Sequence, residues 1–186
     1  MKAVFVGGSR KVSRLNDEVR RRLAAMIERG LWVYVGDANG ADKAVQQFFA
    51  DQQYERVLVY HVNGRYRNNL GRWPTRPVQP PPQARGFEYY SVKDVQMAAD
   101  ASFGMMLWDG RSRGTLANIR NLLSGGKPVA VYLSPGRQFR DLKREADLAE
   151  LLSSLPRHTD PSGTRRASQP ELTVTVRRRK KQPRTT

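Results

Sequence analysis

The sequence predicts an α/β protein with an open, doubly wound, Rossmann-like sheet that is mainly parallel and has five or more strands. Short apolar runs alternate with segments in which apolar residues recur every three to four positions, the period of an amphipathic helix. This alternation continues through about 155 of the 186 residues. Strands that alternate with helices form a parallel sheet with helices on both faces, because each crossover connection is right-handed.

Five apolar runs are the predicted strands, at 2–6, 31–35, 56–60, 102–108 and 128–133. Each is short and bounded by turn-forming residues, as expected for a strand buried on both faces.

The predicted helices lie between these strands, at 15–27, 40–53, 90–100 and 114–123, and a charged amphipathic helix is expected within 139–155. In the first of them the apolar residues have helical spacing, and Ser13 or Asn16 is expected to cap its N-terminus.

The segment 62–86 interrupts the alternation, because it has five prolines, five arginines and few aliphatic side chains. An insertion of this length without secondary structure is typical of a lid or a binding loop. The prolines at 80–82 favour an extended polyproline conformation. We therefore expect a loop whose arginines close over a bound anion; they are Arg65, Arg67, Arg72, Arg76 and Arg85.

The composition excludes several kinds of site. The chain has no cysteine, which excludes disulfides, iron–sulfur clusters and thiolate zinc sites. Only His61 and His158 are present, so we expect no histidine-rich metal site and assign no metal. No apolar run approaches the roughly 20 residues that span a bilayer, and the segment 1–6 enters a strand without a secretory leader. We expect a cytoplasmic protein with no membrane partner.

The net charge of +16 is divided between two parts of the chain. Residues 157–186 carry nine Lys or Arg against two acidic residues, and the rest of the chain carries 24 against 15. We predict one folded domain over 1–155 and a basic, disordered tail over 156–186. Within that tail, 172–176 alternates like a strand, and 177–181 is a basic run that is either a solvated segment or a contact for nucleic acid.

Three turns, each between a predicted strand and a predicted helix, are the most informative feature. They are the first turn (7–10), the second turn (36–40) and the third turn (109–115). Glycine lets main-chain amides approach a ligand closely, and a helix N-terminus favours negative charge. Because the carboxyl ends of parallel strands share one edge of the sheet, the three turns predict a pocket for a phosphate-bearing ligand. The predicted ligand-binding residues are Gly7, Gly8, Ser9 and Arg10; Gly36, Asp37, Asn39, Gly40 and Asp42; and Trp108, Asp109, Gly110, Arg111, Ser112, Arg113, Gly114, Thr115 and Asn118.

Some of these residues have ordinary structural alternatives. Asp37 is either the cap of the helix that starts near Gly40, or a residue that binds a ribose hydroxyl or acts as a general base. Thr115 is a helix cap that is also placed to contact a phosphate. The first turn lacks the Gly-x-Gly-x-x-Gly spacing of dinucleotide-binding folds, and the chain has no P-loop lysine motif.

The order of the elements and the three turns resemble the SLOG superfamily, which includes the "lysine decarboxylase-like" LOG proteins and the DNA-processing protein DprA. The segments Gly-Gly-Ser-Arg, Val-Gly-Asp-Ala-Asn-Gly-Ala-Asp and Trp-Asp-Gly-Arg-Ser-Arg-Gly-Thr carry the resemblance, which extends over 1–133. It implies a Rossmann-like fold, a nucleotide ligand, and a homodimer formed through helices that flank the sheet.

LOG enzymes release the base from a nucleoside 5′-monophosphate, and the resemblance aligns their catalytic glutamate with Asn118. Their helical arginine falls near Ser91, where Lys93 and Asp94 are the nearest charged residues. These departures favour binding or sensing of a nucleotide, of the AMP, ADP-ribose or NAD kind, with no required cofactor. The alternatives are a nucleotide N-glycosidic hydrolase or transferase and a DprA-like nucleic-acid-binding protein.

In the enzymatic alternative, Asp37, Asp94 or Asp109 supplies the missing carboxylate, and Lys93 and Asn118 are the other catalytic candidates. In the binding hypothesis, Asp37 and Asn39 meet the ribose or base. Aromatic side chains are expected to stack on the base, and the candidates are Trp108, Tyr89 and Tyr90.

Overall fold

A computed structural model of the protein describes residues 2–156. The seven strands, in chain order, are β1 (Ala3–Gly8), β2 (Trp32–Gly36), β3 (Val57–Val62), β4 (Thr75–Val78), β5 (Phe103–Trp108), β6 (Val129–Leu133) and β7 (Gln138–Leu142). The five helices are α1 (Asp17–Glu28), α2 (Ala41–Asp51), α3 (Gly86–Asp100), α4 (Arg113–Ser124) and α5 (Glu145–Ser154).

The strands form one sheet in the order β4-β3-β2-β1-β5-β6-β7. Every neighbouring pair is parallel except β6 with β7. Two apolar cores cover the two faces of the sheet. The prediction of an open, mainly parallel, Rossmann-like α/β fold with helices on both faces is therefore confirmed.

The order of the strands reverses between β1 and β5. From β1 the chain adds β2, β3 and β4 on one side, then returns to place β5 on the other side of β1. In open α/β sheets, ligands bind in the crevice outside the carboxyl ends of the strands at such a switch point. The first and third glycine turns follow these two strands.

The insertion 62–86 has more structure than the sequence predicts. Thr75–Val78 forms the parallel edge strand β4, and the edge position tolerates Pro77, which cannot donate to the ladder. Before it, the buried Trp73 donates its indole N–H to the Tyr54 carbonyl oxygen at 2.8 Å. The buried Gln46 side chain bonds the main chain of the insertion at Asn68 and Leu70. The expectation of a structureless loop is wrong over 75–78.

Two further boundaries differ from prediction. The segment 139–155 is not helical throughout, because Gln138–Leu142 returns along β6 as the antiparallel strand β7 before α5 begins at Glu145. Helix α3 begins at Gly86 rather than near residue 90. Asn16 is the cap of α1, since its side-chain oxygen accepts from the Val19 amide at 3.0 Å. The predictions for the tail, including the strand at 172–176 and the basic run at 177–181, lie outside the described residues.

Candidate functional site

A cavity of about 470 Å³ opens at the carboxyl ends of β1 and β5, at the switch point of the sheet. Its volume lies within the usual range of small-ligand sites. Eleven predicted ligand-binding residues line it: Gly7, Gly8, Ser9, Arg10, Asp42, Asp109, Arg111, Ser112, Gly114, Thr115 and Asn118. Two further catalytic candidates, Lys93 and Asp94, which were not predicted as ligand-binding residues, also line the cavity. The predicted residues outside the lining are Gly36, Asp37, Asn39, Gly40, Trp108, Gly110 and Arg113.

The first turn is attached to its neighbours through Ser9. Its amide donates to the Leu107 carbonyl oxygen at 2.9 Å, and its own carbonyl oxygen accepts from the Ala41 amide at 3.2 Å. Gly8 is required for this approach, because a Cβ there would overlap the Leu107 carbonyl oxygen and crowd Ala41. The turn is thereby held against the end of β5 and the start of α2.

These contacts narrow one expectation about the first turn, which was that all of its amides are free to bind a phosphate. The Ser9 amide is occupied by Leu107, and the Lys11 amide donates to the Ser9 hydroxyl at 3.2 Å. What the first turn brings to the cavity is cationic side chains, those of Arg10 and Lys11. Lys11 was not among the predicted ligand-binding residues, although it directly follows the predicted turn.

The third turn forms a capped helix N-terminus that faces the cavity. Ser112 is the cap of α4: its hydroxyl accepts from the Thr115 amide at 3.3 Å and bonds the Thr115 hydroxyl at 3.0 Å. Thr115 is therefore not the cap. The amides of Arg113 and Gly114 belong to the first helical turn, where main-chain donors have no acceptor within the helix. This end of α4 favours an anion.

Asp109 shapes the third turn. One oxygen of its carboxylate accepts from the amides of Arg111 at 3.1 Å and Ser112 at 2.7 Å. Burial pushes the pKa of Asp109 up, but these bonds and one from the Ser9 hydroxyl bring it below its ordinary value. A carboxylate that is stabilised in this way holds its charge and its position, so it is a poor candidate for a general base.

The Trp108 ring has almost no exposed surface for a ligand to stack on, which argues against the expectation for this residue. Its side chain is 2% exposed, and its indole N–H donates to the Ser112 carbonyl oxygen at 3.1 Å. The ring belongs to the core below the third turn, and it supports that turn from inside.

The second turn contributes less to the cavity than predicted. Asp37 is 3% exposed, and Arg67 holds it: the guanidinium donates at 2.7 and 3.0 Å, and the Arg67 amide donates at 3.0 Å. Burial pushes the pKa of Asp37 up, but Arg67 brings it below the ordinary value. Asp37 is thus neither a helix cap nor a group free to meet a ribose or base.

The other residues of the second turn are also structural. Asn39 accepts from the Asn68 side chain at 3.0 Å, which attaches the insertion to the turn. Gly40 has a φ of 84°, and a Cβ on it would collide with the Arg10 main chain. These residues position the first turn and the insertion.

A cluster of buried charged side chains forms one wall of the cavity. Lys93 is 4% exposed, and its ammonium group lies 2.5 Å from an Asp94 carboxylate oxygen. Asp42 is 7% exposed, and one of its oxygens accepts from the Ala38 amide at 3.2 Å. A Cβ at Gly36 would meet both Asp42 and Lys93, so these two charged groups converge where only glycine leaves room.

The two buried groups titrate in different ways. Burial raises the pKa of Asp42 to about 6, with Lys93 opposing the rise and Asp94 adding to it. Burial alone would lower the pKa of Lys93, but Asp94 and Asp42 outweigh it and raise that pKa. Lys93 is therefore a permanent cation, and Asp42 is a carboxyl group that exchanges a proton near neutral pH.

Of the five arginines in the insertion, Arg67 is the one that lines the cavity. Arg76 instead pairs with Asp100 at 3.1 Å, and Arg85 bonds main-chain oxygens of its own loop. Of the arginines expected to close over the anion, only Arg67 is placed to do so among the described residues. Asp37 sets the position of the Arg67 guanidinium.

Asn118 lies one helical turn after Gly114 and is 7% exposed. Among the hydrogen bonds of residues 2–156, none engages its carboxamide, and the residue lines the cavity. Its side-chain nitrogen and oxygen are not among the fully buried polar atoms that lack a partner, so the carboxamide is accessible from the cavity.

Helix α3 supplies aromatic side chains to the cavity. Phe87 and Tyr90 both line it, whereas Tyr89 accepts a hydrogen bond from Asn63 and does not. Tyr90 was predicted to stack on a base, whereas Phe87 was not predicted, because helix α3 was expected to begin after Phe87. The proximity of Phe87 to two tyrosines was the available signal.

Within the described part of the chain, no group of three or more acidic or histidine side chains is placed to hold a metal ion. Over residues 2–156, no helix combines the length and the apolar character that a membrane span requires. Among protein-family models none matches this chain, and among curated proteins none matches it either. The resemblance to the SLOG superfamily therefore stays a prediction that rests on the three turns.

Proposed function

We propose that this protein binds a nucleotide, as a sensor or binding protein of the SLOG type, with the phosphate at the N-terminus of α4. The observation that carries the proposal is the position of the cavity, at the switch point of the sheet and between the first and third turns. The free amide of Gly114, which lines the cavity, supplies a donor to the anion.

The charge of the lining supports an anionic ligand. Five cationic side chains, those of Arg10, Lys11, Arg67, Lys93 and Arg111, face three carboxylates, those of Asp42, Asp94 and Asp109. Lys93 and Arg67 are engaged by Asp94 and Asp37, which leaves the other three cations to the ligand.

The experiment compares two arginines of the third turn. Arg111 lines the cavity and Arg113 does not, although both are exposed and lie two residues apart. Calorimetric titration with AMP is expected to show affinity reduced roughly ten- to a hundredfold in Arg111→Ala, since a charge-assisted hydrogen bond contributes about 1.5–3 kcal/mol. Arg113→Ala removes the same charge and should bind as the unaltered protein does. Equal effects of the two substitutions would remove the assignment of the phosphate to this turn.

A second candidate function is hydrolysis of the N-glycosidic bond of a nucleotide. The cluster of the buried Asp42 and Lys93 with the partly exposed Asp94 favours it. In this reaction Asp94 accepts a proton from water while the water oxygen bonds to C1′. The C1′–N bond breaks, its electron pair goes to the base nitrogen, and that nitrogen takes a proton from the Asp42 carboxyl group. Two carboxyl groups in different environments suit such a division of roles.

Chromatography for free adenine after incubation with AMP tests this second function. Release of base that Asp94→Asn abolishes, and that the exposed control Asp51→Asn retains, would establish hydrolysis. If calorimetry shows that AMP binds but no adenine is released under the same conditions, the protein binds this nucleotide without hydrolysing it.

A further inference from the structure

Two aromatic side chains at the start of α3 are unusually exposed. Phe87 is 61% exposed and Tyr90 is 48% exposed, although both carry large apolar rings. They lie three residues apart on one helix, so they are neighbours on the same face. Both line the cavity at the switch point. Their exposed surface therefore faces the space that the proposed function assigns to a ligand.

Phe87 is adjacent to the proposed phosphate site. A Cβ added to Gly114 would lie 3.7 Å from the edge of the Phe87 ring. Gly114 carries one of the free amides of α4. A phosphate bound there places the rest of a nucleotide within reach of this ring.

Tyr90 is held in place by a chain of contacts that begins in the second turn. The buried Asp37 carboxylate binds the Arg67 guanidinium through two hydrogen bonds. That guanidinium lies over the Tyr90 ring, 5.6 Å from its centroid, in a cation–π contact. A bidentate pair fixes the plane of the guanidinium. Asp37 and Arg67 are therefore positioning residues that hold the ring before any ligand arrives.

We propose that Phe87 and Tyr90 form a platform on which the planar base of a nucleoside monophosphate stacks, so that the cavity selects nucleotides over sugar phosphates. This inference rests on the proposed function and adds the residues that recognise the base. A flat base covers exposed aromatic surface that a sugar phosphate leaves in water. The volume of about 470 Å³ has room for a base as well as a ribose phosphate.

The test is calorimetric titration of the full chain with AMP and, separately, with ribose 5-phosphate. The double variant Phe87→Ala with Tyr90→Ala is expected to bind AMP roughly tenfold more weakly or worse, as for loss of base stacking on aromatic side chains. Its affinity for ribose 5-phosphate should equal that of the unaltered protein. Val95→Ala is the matched control, because Val95 is 52% exposed on the same helix and does not line the cavity.

A conservative variant separates stacking from folding. Phe87→Tyr with Tyr90→Phe keeps both rings and should restore AMP affinity to within about twofold, as its change is confined to one hydroxyl at each site. Unaltered AMP affinity in the double alanine variant would overturn the platform, and so would an equal loss for both ligands. If ribose 5-phosphate binds the unaltered protein as tightly as AMP does, the base contributes nothing to binding. The stacking platform is then contradicted, but the proposed phosphate site is not. If neither binds, both proposals fail.

Discussion

The amide of Ser9 donates a hydrogen bond to the carbonyl oxygen of Leu107 across 2.9 Å. This bond extends the pairing of β1 with β5 by one residue beyond Gly8. It keeps the first turn level with the third turn, which begins two residues after Leu107. The cationic side chains of one turn and the helix N-terminus of the other consequently face a single cavity.

Glycine is required at position 8 and not at position 114. A Cβ at Gly8 would overlap the Leu107 carbonyl oxygen, which is main chain and cannot move without separating the strands. We expect Gly8→Ala to lower the free energy of unfolding by about 2–3 kcal/mol. Gly114 is helical, and its Cβ would meet the Phe87 ring at an ordinary 3.7 Å. Gly114→Ala should therefore leave stability unchanged or raise it by up to about 1 kcal/mol. Urea denaturation measures both, and similar losses in the two variants would contradict this account.

Removing Arg67 should destabilise the protein in a pH-dependent way. The pKa of Asp37 lies below its ordinary value, so its pairing contributes stability above pH 3.8 that is lost as the pH falls through the folded-state pKa. Arg67→Ala leaves a buried carboxylate with one amide donor and should cost about 2 kcal/mol at pH 7. The cost should shrink at pH 3, which lies below the ordinary pKa of 3.8. Arg65→Ala, at an exposed arginine of the same segment, is the control for urea denaturation at both pH values. If the loss of unfolding free energy in Arg67→Ala does not change with pH, the pairing of Arg67 with an ionised Asp37 would be contradicted.

Ionisation of the buried Asp42 should lower the free energy of unfolding as the pH rises. Its pKa is raised from 3.8 to about 6, so the unfolded chain loses this proton first and ionisation favours unfolding between these two values. Asp42→Asn removes the titration and keeps an oxygen for the Ala38 amide. Relative to the unaltered protein, the variant should gain about 2 kcal/mol between pH 4.5 and 7.5, at about 1.4 kcal/mol for each pKa unit. Urea denaturation at the two pH values gives this difference directly. A stability difference that stays constant, or one that moves the other way, would mean that Asp42 is ionised throughout.

The five central strands and three turns could be predicted from the sequence because their signals are local. Each of these strands is a short apolar run that ends in a turn. Strand β4 has no such signal, since its four residues are partly or fully exposed and include Pro77. Strand β7 is likewise mostly exposed and polar, because it covers an edge of the sheet rather than the core.

Most errors about the site concern partners that lie far apart in the sequence. Asp37 has the composition of a ligand-binding turn, but its partner Arg67 lies 30 residues later in an insertion without a periodic pattern. Trp108 is directed inward by the pleat of β5, and its indole then meets the third turn from below. Lys93 and Asp94 were predicted only as the nearest charged residues to a family position, and the burial of Lys93 beside Asp42 depends on the packing of α3 against the sheet.

The most direct test of the proposed phosphate site follows main-chain amide resonances during titration with AMP. In ¹H–¹⁵N spectra of the labelled protein, the amides of Arg113, Gly114 and Thr115 and of the first turn at Arg10 are expected to shift together and to saturate. Inorganic phosphate should shift the same amides in the same direction. Shifts confined to a second cavity, between β7 and α5 near Arg140 and Arg144, would contradict the proposed phosphate site, and so would the absence of a saturable shift at the first and third turns.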